Sequence, residues 1–429
     1  MYMSVDRTTP PQIKDFADIH LPSKQTVILD NGIDVNLIPM SRNGANYISV
    51  IWHSGTAASK NLAVPPFVPR MMLQGTKTLS AEDIMERFDF LGAFISNAVS
   101  TNYSVFRLLS LNAFNSELME LLSDILLHPT FPEERFEALK RKDLAAYDLA
   151  RSRTSFIVSE EMGKLMSGNE HPYLQPLKRH DIENVTIEQV VSAWNEGISN
   201  SGISIFASGD ISDIIKENIK EFGSDLRTNH ISTSNSIPIP FTPEKPQTRF
   251  IEMPASSQSS VAIGIPTIAR SHHDYIPLRI AVVALGGYFG SRLMASIREE
   301  KGLTYGIQAS LLGLREGSYI LIEADCDKRY VQKVIDEVFS EMSVMKHTPM
   351  GYEEFRKLRS YYMSYIAATA DNFKTVGNYY ASNKVHDFPD DYFERQLQVL
   401  STITPLEIRD ICAKYFDIDN ASVVTAGAH

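Results

Sequence analysis

The feature that most constrains the fold of this chain is an internal duplication of a long amphipathic segment. The segment "TFPEERFEALKRKDLAAYDLA" of the first half returns in the second half as "TPMGYEEFRKLRSYYMSYIAA". Phe136 corresponds to Phe355 and Leu139 to Leu358, both with an offset of 219 residues. Such a repeat indicates two copies of one structural unit. The 429 residues therefore predict two homologous domains rather than one core.

Local patterns predict the same order of elements in both copies. Apolar runs flank the turn dipeptide Asn31-Gly32 and predict a hairpin, while Ser80 opens a helix that Gly92 ends. In the second copy a helix ends at Gly302, and "LTYGIQASLLG" and "GSYILIEADC" predict a hairpin. We predict an α+β fold of two homologous domains, each a mostly antiparallel β-sheet with helices packed on one face.

The domain boundaries follow from a change in composition near the middle of the chain. Residues 229–248, "NHISTSNSIPIPFTPEKPQT", are rich in Pro, Ser, Thr and Asn and lack a helical period. This pattern is typical of a linker. We therefore predict an N-terminal domain over residues 20–235 and a C-terminal domain over residues 246–429.

Composition excludes several classes of function. The net charge of −11 and the lack of a basic stripe argue against a nucleic-acid partner. No run approaches the about 18 apolar residues of a membrane span. The two cysteines, Cys326 and Cys412, cannot form a disulfide framework and fit a reducing compartment. Since the first residues carry no apolar core of signal-peptide length, we expect a cytoplasmic protein.

Two short motifs resemble a phosphate-binding loop and a metal site, but neither has the full pattern. "GGYFGS" (residues 286–291) lacks the Gly-Lys-Ser/Thr ending of a phosphate loop and favours a tight turn between helices. His272, His273 and Asp274 are metal-ligand types, but adjacent histidines rarely point at one ion. We expect both segments to be ordinary loops.

A series of segments resembles the pitrilysin/insulinase family of zinc metallopeptidases, which includes the mitochondrial processing peptidases. It contains "HSGT", "GTKTLSAEDI", "HPTFPEERFEALKRK", "HPYLQPLKRHDIENVTIEQVVSAW", "SIFASGDI" and "GSRLMASIREEKGLTYGIQAS". The segments agree with that family in order and spacing in both halves, from about Val27 onward. The resemblance implies the family's duplicated, clam-shell fold of two homologous domains.

The zinc motif of that family is absent from this chain. The family's peptidases carry His-x-x-Glu-His on a helix just before the Gly-Thr pair, because two histidines four residues apart on one helical face hold one zinc ion. The glutamate between them acts as general base. Counting back from Gly75, the motif falls on "PFVPR", so Pro66 and Arg70 replace the histidines and Pro69 replaces the base. None of these side chains can bind zinc or accept a proton from a zinc-bound water.

The family's third ligand, a glutamate on the long helix, is absent as well. An ungapped count places it near Ala145 or Ala146, and no glutamate occurs between Glu137 and Glu160. Asp143 and Asp148 are nearby, but one carboxylate does not hold zinc. We therefore expect no metal in this chain. Pro69 is also expected to delay or kink the motif's helix.

The second half keeps a pair of side chains that the family uses on its substrate. The resemblance implies that an arginine and a tyrosine contact bound peptide, and "REEKGLTYG" places them at Arg298 and Tyr305. A tyrosine hydroxyl suits the support of an oxyanion. Taken alone, these residues have a structural interpretation, since arginine suits a helix C-terminus and tyrosine suits a strand.

Four hypotheses follow. The first is a non-catalytic subunit of a heteromeric zinc-dependent peptidase, which binds unfolded peptide beside a zinc-bearing partner of the same family and has no cofactor itself. The others are a scaffold subunit, a homodimeric peptide-binding protein, and an enzyme with an unrecognised site.

Overall fold

A computed structural model describes residue 8 and residues 19–40, 43–168, 171, 175–226, 241–314 and 316–428. The strands of the first half are β1 (Gln25–Ile28), β2 (Asp34–Pro39), β3 (Ala45–Trp52), β4 (Phe94–Val99), β5 (Ser104–Leu111) and β6 (Ile203–Gly209). Its helices are α1 (Val64–Met72), α2 (Ala81–Phe90), α3 (Asn115–Leu127), α4 (Glu133–Arg151), α5 (Thr154–Ser167), α6 (Arg179–Glu183), α7 (Ile187–Asn200) and α8 (Asp213–Asp225).

The second half repeats this plan. Its strands are β7 (Thr248–Glu252), β8 (Ser259–Thr267), β9 (Thr304–Gly313), β10 (Ser318–Cys326) and β11 (Ser422–Gly427). Its helices are α9 (Tyr275–Gly286), a π-helical segment (Met294–Glu300), α10 (Val331–His347), α11 (Tyr352–Thr369), α12 (Phe373–Val385), α13 (Tyr392–Thr402) and α14 (Pro405–Tyr415). Short 3-10 turns cover Thr56–Ala58, Asn112–Phe114, Lys328–Tyr330 and Ile418–Asn420.

Apart from β1, which has no counterpart in the second half, the two sheets share one topology, and this confirms the predicted α+β fold. The first sheet has the strand order β1-β2-β6-β3-β5-β4, and the second has the order β7-β11-β8-β10-β9. In each sheet one parallel pair, β2 with β6 and β7 with β11, lies beside an otherwise antiparallel ladder. Strands β4 and β9 are corresponding edges, each paired on one side only.

Glycines at matching positions form the turn that leads into the edge strand of each sheet. Gly92 after α2 and Gly302 after the π-helical segment have φ values of 60° and 59°. This left-handed conformation favours glycine and turns each chain into its edge strand. Ser80 and Asp83 form the predicted capping box of α2. The hairpin between β1 and β2 also forms as predicted, with Gly32 at a φ of 82°.

The sheets are covered on both faces, which the sequence does not indicate. Most helices of each half pack on one face of its own sheet. The opposite face of the second sheet receives α5 from the first half, and the opposite face of the first sheet receives α12 from the second half. This exchange explains why β6 and β11 are buried along their whole length.

Several predictions about connections have different outcomes. The predicted linker over 229–248 lies partly outside the described residues, and within it Phe241–Gln247 has no regular structure before β7 begins. The helix predicted before Gly302 is π-helical over Met294–Glu300. No helix in the described ranges is both long enough and apolar enough to cross a membrane.

Candidate functional site

The helix at the degenerate zinc motif forms despite its prolines. Pro65 and Pro66 occupy the second and third positions of α1, where a backbone N–H would have no partner in the helix. Pro69 lies inside the helix and cannot donate to the Pro65 carbonyl. The prediction of a delayed start is wrong, because α1 runs unbroken from Val64. The apolar side chains that it buries in the first core, and that offset the proline's cost, are Val64, Phe67, Val68, Met71 and Met72.

Arg70 fills the space between α1 and the long helix α4. Its two terminal nitrogens donate to the Asp143 carboxylate, with Nη1–Oδ1 and Nη2–Oδ2 distances of 2.8 and 2.6 Å. Its Nε donates to the Pro66 carbonyl at 3.0 Å, and its guanidinium carbon lies 4.7 Å from the centroid of the Phe67 ring. The Arg70 and Asp143 side chains are only 28% and 24% exposed. A fixed positive charge therefore stands where the family resemblance places the metal.

The remaining motif positions supply no ligand. Pro66 and Pro69 carry no side-chain donor atom. Ala146 lies three residues after Asp143 on the same face of α4, with an exposed methyl group. Asp143, the one carboxylate facing this space that the sequence offered, is engaged by Arg70. The residues present therefore do not fit a zinc ion.

One group of metal-ligating side chains does lie close together within the described part of the chain. The ligand atoms of His272, His273 and Asp274 lie within 4.8 Å of one another. Asp274 Oδ2, however, accepts from both Lys414 Nζ and the Tyr415 hydroxyl at 2.6 Å. Since an ammonium already neutralises the carboxylate, we assign no metal to this loop.

The predicted substrate pair lies at the exposed corner that leads into β9. Tyr305 is 88% exposed, and the Arg298 guanidinium carbon lies 5.1 Å from the ring centroid of Phe289, itself 62% exposed. Within the described ranges neither the Arg298 guanidinium nor the Tyr305 hydroxyl has a hydrogen-bond or ion-pair partner. The phenol of Tyr305 is thus open to solvent, and the half-buried Arg298 packs its guanidinium over an exposed ring.

This corner is held firmly by contacts beneath it. Glu337 on α10 accepts from Ser296 Oγ at 2.5 Å and forms an ion pair with Lys301. The hydrogen bond from Lys301, followed by that from Ser296, lowers the pKa of Glu337. The backbone N–H of Gly302 also bonds back to the Arg298 carbonyl at 3.2 Å. The backbone at Arg298 is therefore fixed, while its guanidinium makes no hydrogen bond to the described residues.

The sequence analysis missed two contributors. Phe289 lies in "GGYFGS", which we weighed only as a phosphate loop, and an exposed aromatic residue in such a turn was the available signal. Asp143 was weighed only as a zinc ligand, although a fixed positive charge at Arg70 made an ion pair with a nearby acid the alternative.

Comparison with known families assigns both halves to one family. The model described as "Insulinase (Peptidase family M16)" matches residues 54–166. The model described as "Peptidase M16 inactive domain" matches residues 184–362. Together they cover well over half of the chain.

Curated relatives at low sequence identity support the same family. An uncharacterized zinc protease, YmxG, of Bacillus subtilis is 22% identical over 67% of this chain and 69% of its own length. A protein named non-peptidase homolog YmxG, of Helicobacter pylori, is 23% identical over 59% of each chain. The chain thus spans about three fifths to two thirds of the length of these relatives.

Solved structures share the fold over nearly the whole chain. A peptidase M16 inactive domain from Pseudomonas fluorescens has a TM-score of 0.85 at 20% identity, covering 95% of this chain and 98% of that one. The periplasmic protease PqqL of Escherichia coli has a TM-score of 0.80 at 13% identity, covering 100% of this chain but 49% of its own. With both family models matched and its inverted zinc motif replaced, this chain belongs to the insulinase (M16) peptidase family as a member that lacks the zinc site.

Proposed function

We propose that this chain is the non-catalytic subunit of a two-chain zinc peptidase. One contrast between the halves carries the proposal. The former metal position is closed by the Arg70–Asp143 ion pair, whereas the Arg298 guanidinium and the exposed Tyr305 hydroxyl have no hydrogen-bond or ion-pair partner among the described residues. In the proposed complex the zinc-bearing subunit performs the chemistry, and this chain lines the chamber and holds the peptide.

The chemistry of the pair suits peptide binding. A guanidinium donates several hydrogen bonds to peptide carbonyls without losing its charge, and a phenol can donate to an oxygen that becomes negative during hydrolysis. Tyr305 is the second residue of β9, whose outer edge is unpaired among the described strands. An unfolded peptide could extend the sheet there, with Arg298 and Tyr305 beside its backbone.

The loss of the zinc motif supports a partner of the same family, because the chemistry then needs a second, zinc-bearing domain. The protease PqqL, of which this chain covers 49%, holds about twice this length in one polypeptide. The buried, unpaired thiols of Cys326 and Cys412 suit a reducing compartment, and we place the complex in the cytoplasm.

Affinity purification of the chain from its own cells, with identification of bound proteins by mass spectrometry, tests the assembly. We expect a stoichiometric partner of similar size that carries His-x-x-Glu-His. Recovery of the chain as a monomer or a homodimer would overturn the proposal. A homodimer that still binds unfolded peptide would instead favour the alternative of a peptide-binding protein, which the open edge of β9 also suits.

Substitution in the assembled complex tests the pair. We expect Arg298→Ala and Tyr305→Phe each to lower kcat/KM for peptide cleavage by at least about tenfold, the loss of one hydrogen bond to a charged group. Arg356→Ala and Tyr352→Phe alter an exposed arginine and an exposed tyrosine elsewhere and serve as controls. Full activity of both test variants would contradict the role. Loss of the complex itself would point to the scaffold hypothesis.

A further inference from the structure

A pocket of about 220 Å³ lies in the second half between α9, β9 and α11. The polar residues that line it are Arg279, Gln308, Ser310, Tyr361, Tyr362 and Tyr365. Four consecutive residues of β9, from Gln308 to Leu311, contribute to its wall. Because successive side chains of a strand point to opposite faces, a wall made of consecutive residues exposes the strand's backbone. The pocket therefore borders the backbone of β9, which is the edge strand of its sheet among the described strands.

Arg279 brings an uncompensated positive charge to this pocket. Its one hydrogen bond in the described ranges is a long one, with 3.5 Å between Nη1 and Gln396 Oε1. No carboxylate of the described residues forms an ion pair with it, and the titratable groups around it are neutral tyrosine hydroxyls rather than acids. Removing a charge from water without a counter-charge is unfavourable, so this environment favours a bound anion.

Tyr362 supplies a second unsatisfied group. Its side chain is only 2% exposed, and its buried hydroxyl has no hydrogen-bond partner in the part of the chain that the structure describes. Burial raises the pKa of this hydroxyl to about 12, so it stays protonated and able to donate near neutral pH. Buried polar groups nearly always have a partner. The Tyr362 hydroxyl lacks an acceptor and lines the same pocket as the Arg279 guanidinium, so the two groups together suit a negatively charged oxygen.

The duplication explains why this place has an arginine but no acid. The offset of 219 residues that relates Phe136 to Phe355 also relates Asp143 to Tyr362. In the first half, the carboxylate of Asp143 on α4 meets an arginine from α1. In the second half, the equivalent helix α11 offers Tyr362 to an arginine from α9, and a pocket remains between them. The carboxylate that the first half provides internally is the group that the second half lacks.

We propose that this pocket binds a carboxylate, and that the carboxylate is the C-terminus of an extended peptide that lies along β9. This inference rests on the proposed peptide-binding function. Tyr305 and Gln308 belong to the same strand and are three residues apart, about 10 Å at the rise of a β-strand. The pocket would therefore hold the end of a peptide whose backbone passes Tyr305 a few residues earlier or later.

A thermodynamic cycle on the full chain tests the contact directly. The probe is a peptide of about ten residues, the length of β9, without charged side chains and with an uncharged fluorescent dye on its N-terminus. It is made with a free C-terminal carboxylate and as the C-terminal amide. We expect amidation to weaken binding to the natural chain by about tenfold. In Arg279→Gln, which has lost the charge, amidation should make little difference. Tyr362→Phe should reduce the amidation effect in part and keep its thermal stability, since the hydroxyl has no partner to lose.

The controls separate this inference from the proposed function. Arg356→Gln removes an exposed arginine from α11 and should retain the full amidation effect. Equal binding of both peptides to the natural chain, or an equal amidation effect in Arg279→Gln, overturns the pocket assignment and leaves peptide binding intact. Binding of neither peptide, with or without a zinc-bearing partner, overturns both. Binding of acetate in the pocket without any peptide preference would assign the pocket to a free small acid and overturn the peptide-terminus assignment.

Discussion

The ion pair between Arg70 and Asp143 allows a quantitative prediction about the former metal position. Asp143→Leu removes two charge-assisted hydrogen bonds and leaves the guanidinium without its carboxylate. Breaking a fully buried pair costs about 3–5 kcal/mol, whereas exposed pairs contribute about 0.2–1 kcal/mol. Because these side chains are 28% and 24% exposed, we expect a loss of about 2 kcal/mol in the free energy of unfolding.

A double-mutant cycle isolates the interaction. Arg70→Met is expected to lower the free energy of unfolding by about 1–2 kcal/mol, and the double variant Arg70→Met/Asp143→Leu by less than about 1 kcal/mol, because two apolar side chains replace the pair without leaving a charge. Urea unfolding monitored by circular dichroism gives the three values. The coupling should persist in about 0.5 M NaCl, since partly buried charges are weakly screened.

The same helix offers a matched control. Asp148 pairs with Arg179 at the surface, where the side chains are 54% and 47% exposed. Asp148→Leu should cost less than about 1 kcal/mol, and salt should remove most of that effect. If Asp143→Leu costs no more than Asp148→Leu, the view of Arg70 as a fixed plug between α1 and α4 is wrong.

Three further predictions concern metal, pH and packing. The first variant restores the family's ligand set with Pro66→His, Pro69→Glu, Arg70→His and Ala146→Glu. It should bind about one zinc ion per chain, measured by plasma mass spectrometry. A folded variant without zinc would show that α1 and α4 no longer fit the metal. Burial, followed by the charge of Arg270, lowers the pKa of His386 to about 4. The unfolded state, in which the histidine pKa is about 6.5, binds more protons between these pH values, so stability should fall as the pH drops from about 6.5 to 4. In thermal scans at several pH values, His386→Gln should flatten that slope. A Cβ on Gly264 would lie 2.4 Å from Met162 Sδ of α5, so Gly264→Val should cost about 2 kcal/mol and Met162→Ala should restore part of it, whereas an unchanged melting temperature would contradict this packing of α5 on β8.

Features that depend on one residue and its neighbours were predictable. Gly32, Gly92 and Gly302 all adopt positive φ, a conformation that other residues rarely accept. The capping box at Ser80 is likewise local. The loss of the zinc site was readable because metal binding requires particular side-chain atoms, and proline has none.

The proline-rich helix shows where local reasoning fails. The cost of Pro69 predicted a late or kinked helix, and the late start is wrong because α1 begins at Val64. Phe67 and Met71 are 1% and 0% exposed, and their burial stabilises the helix by more than one missing hydrogen bond costs. Local propensity is therefore overridden by contacts that form only in the folded core.

The duplicated α+β plan and the loss of the zinc ligands are already present in the sequence, because repeats, hydrophobic periods and residue types are properties of short stretches. The packing of α5 and α12 on the sheet of the opposite half is visible only in the folded chain. The same holds for the Arg70–Asp143 ion pair and for Arg279, which has no acidic partner among the described residues. These outcomes depend on which surfaces of distant segments come into contact, and that is set by packing of the whole chain rather than by any local pattern.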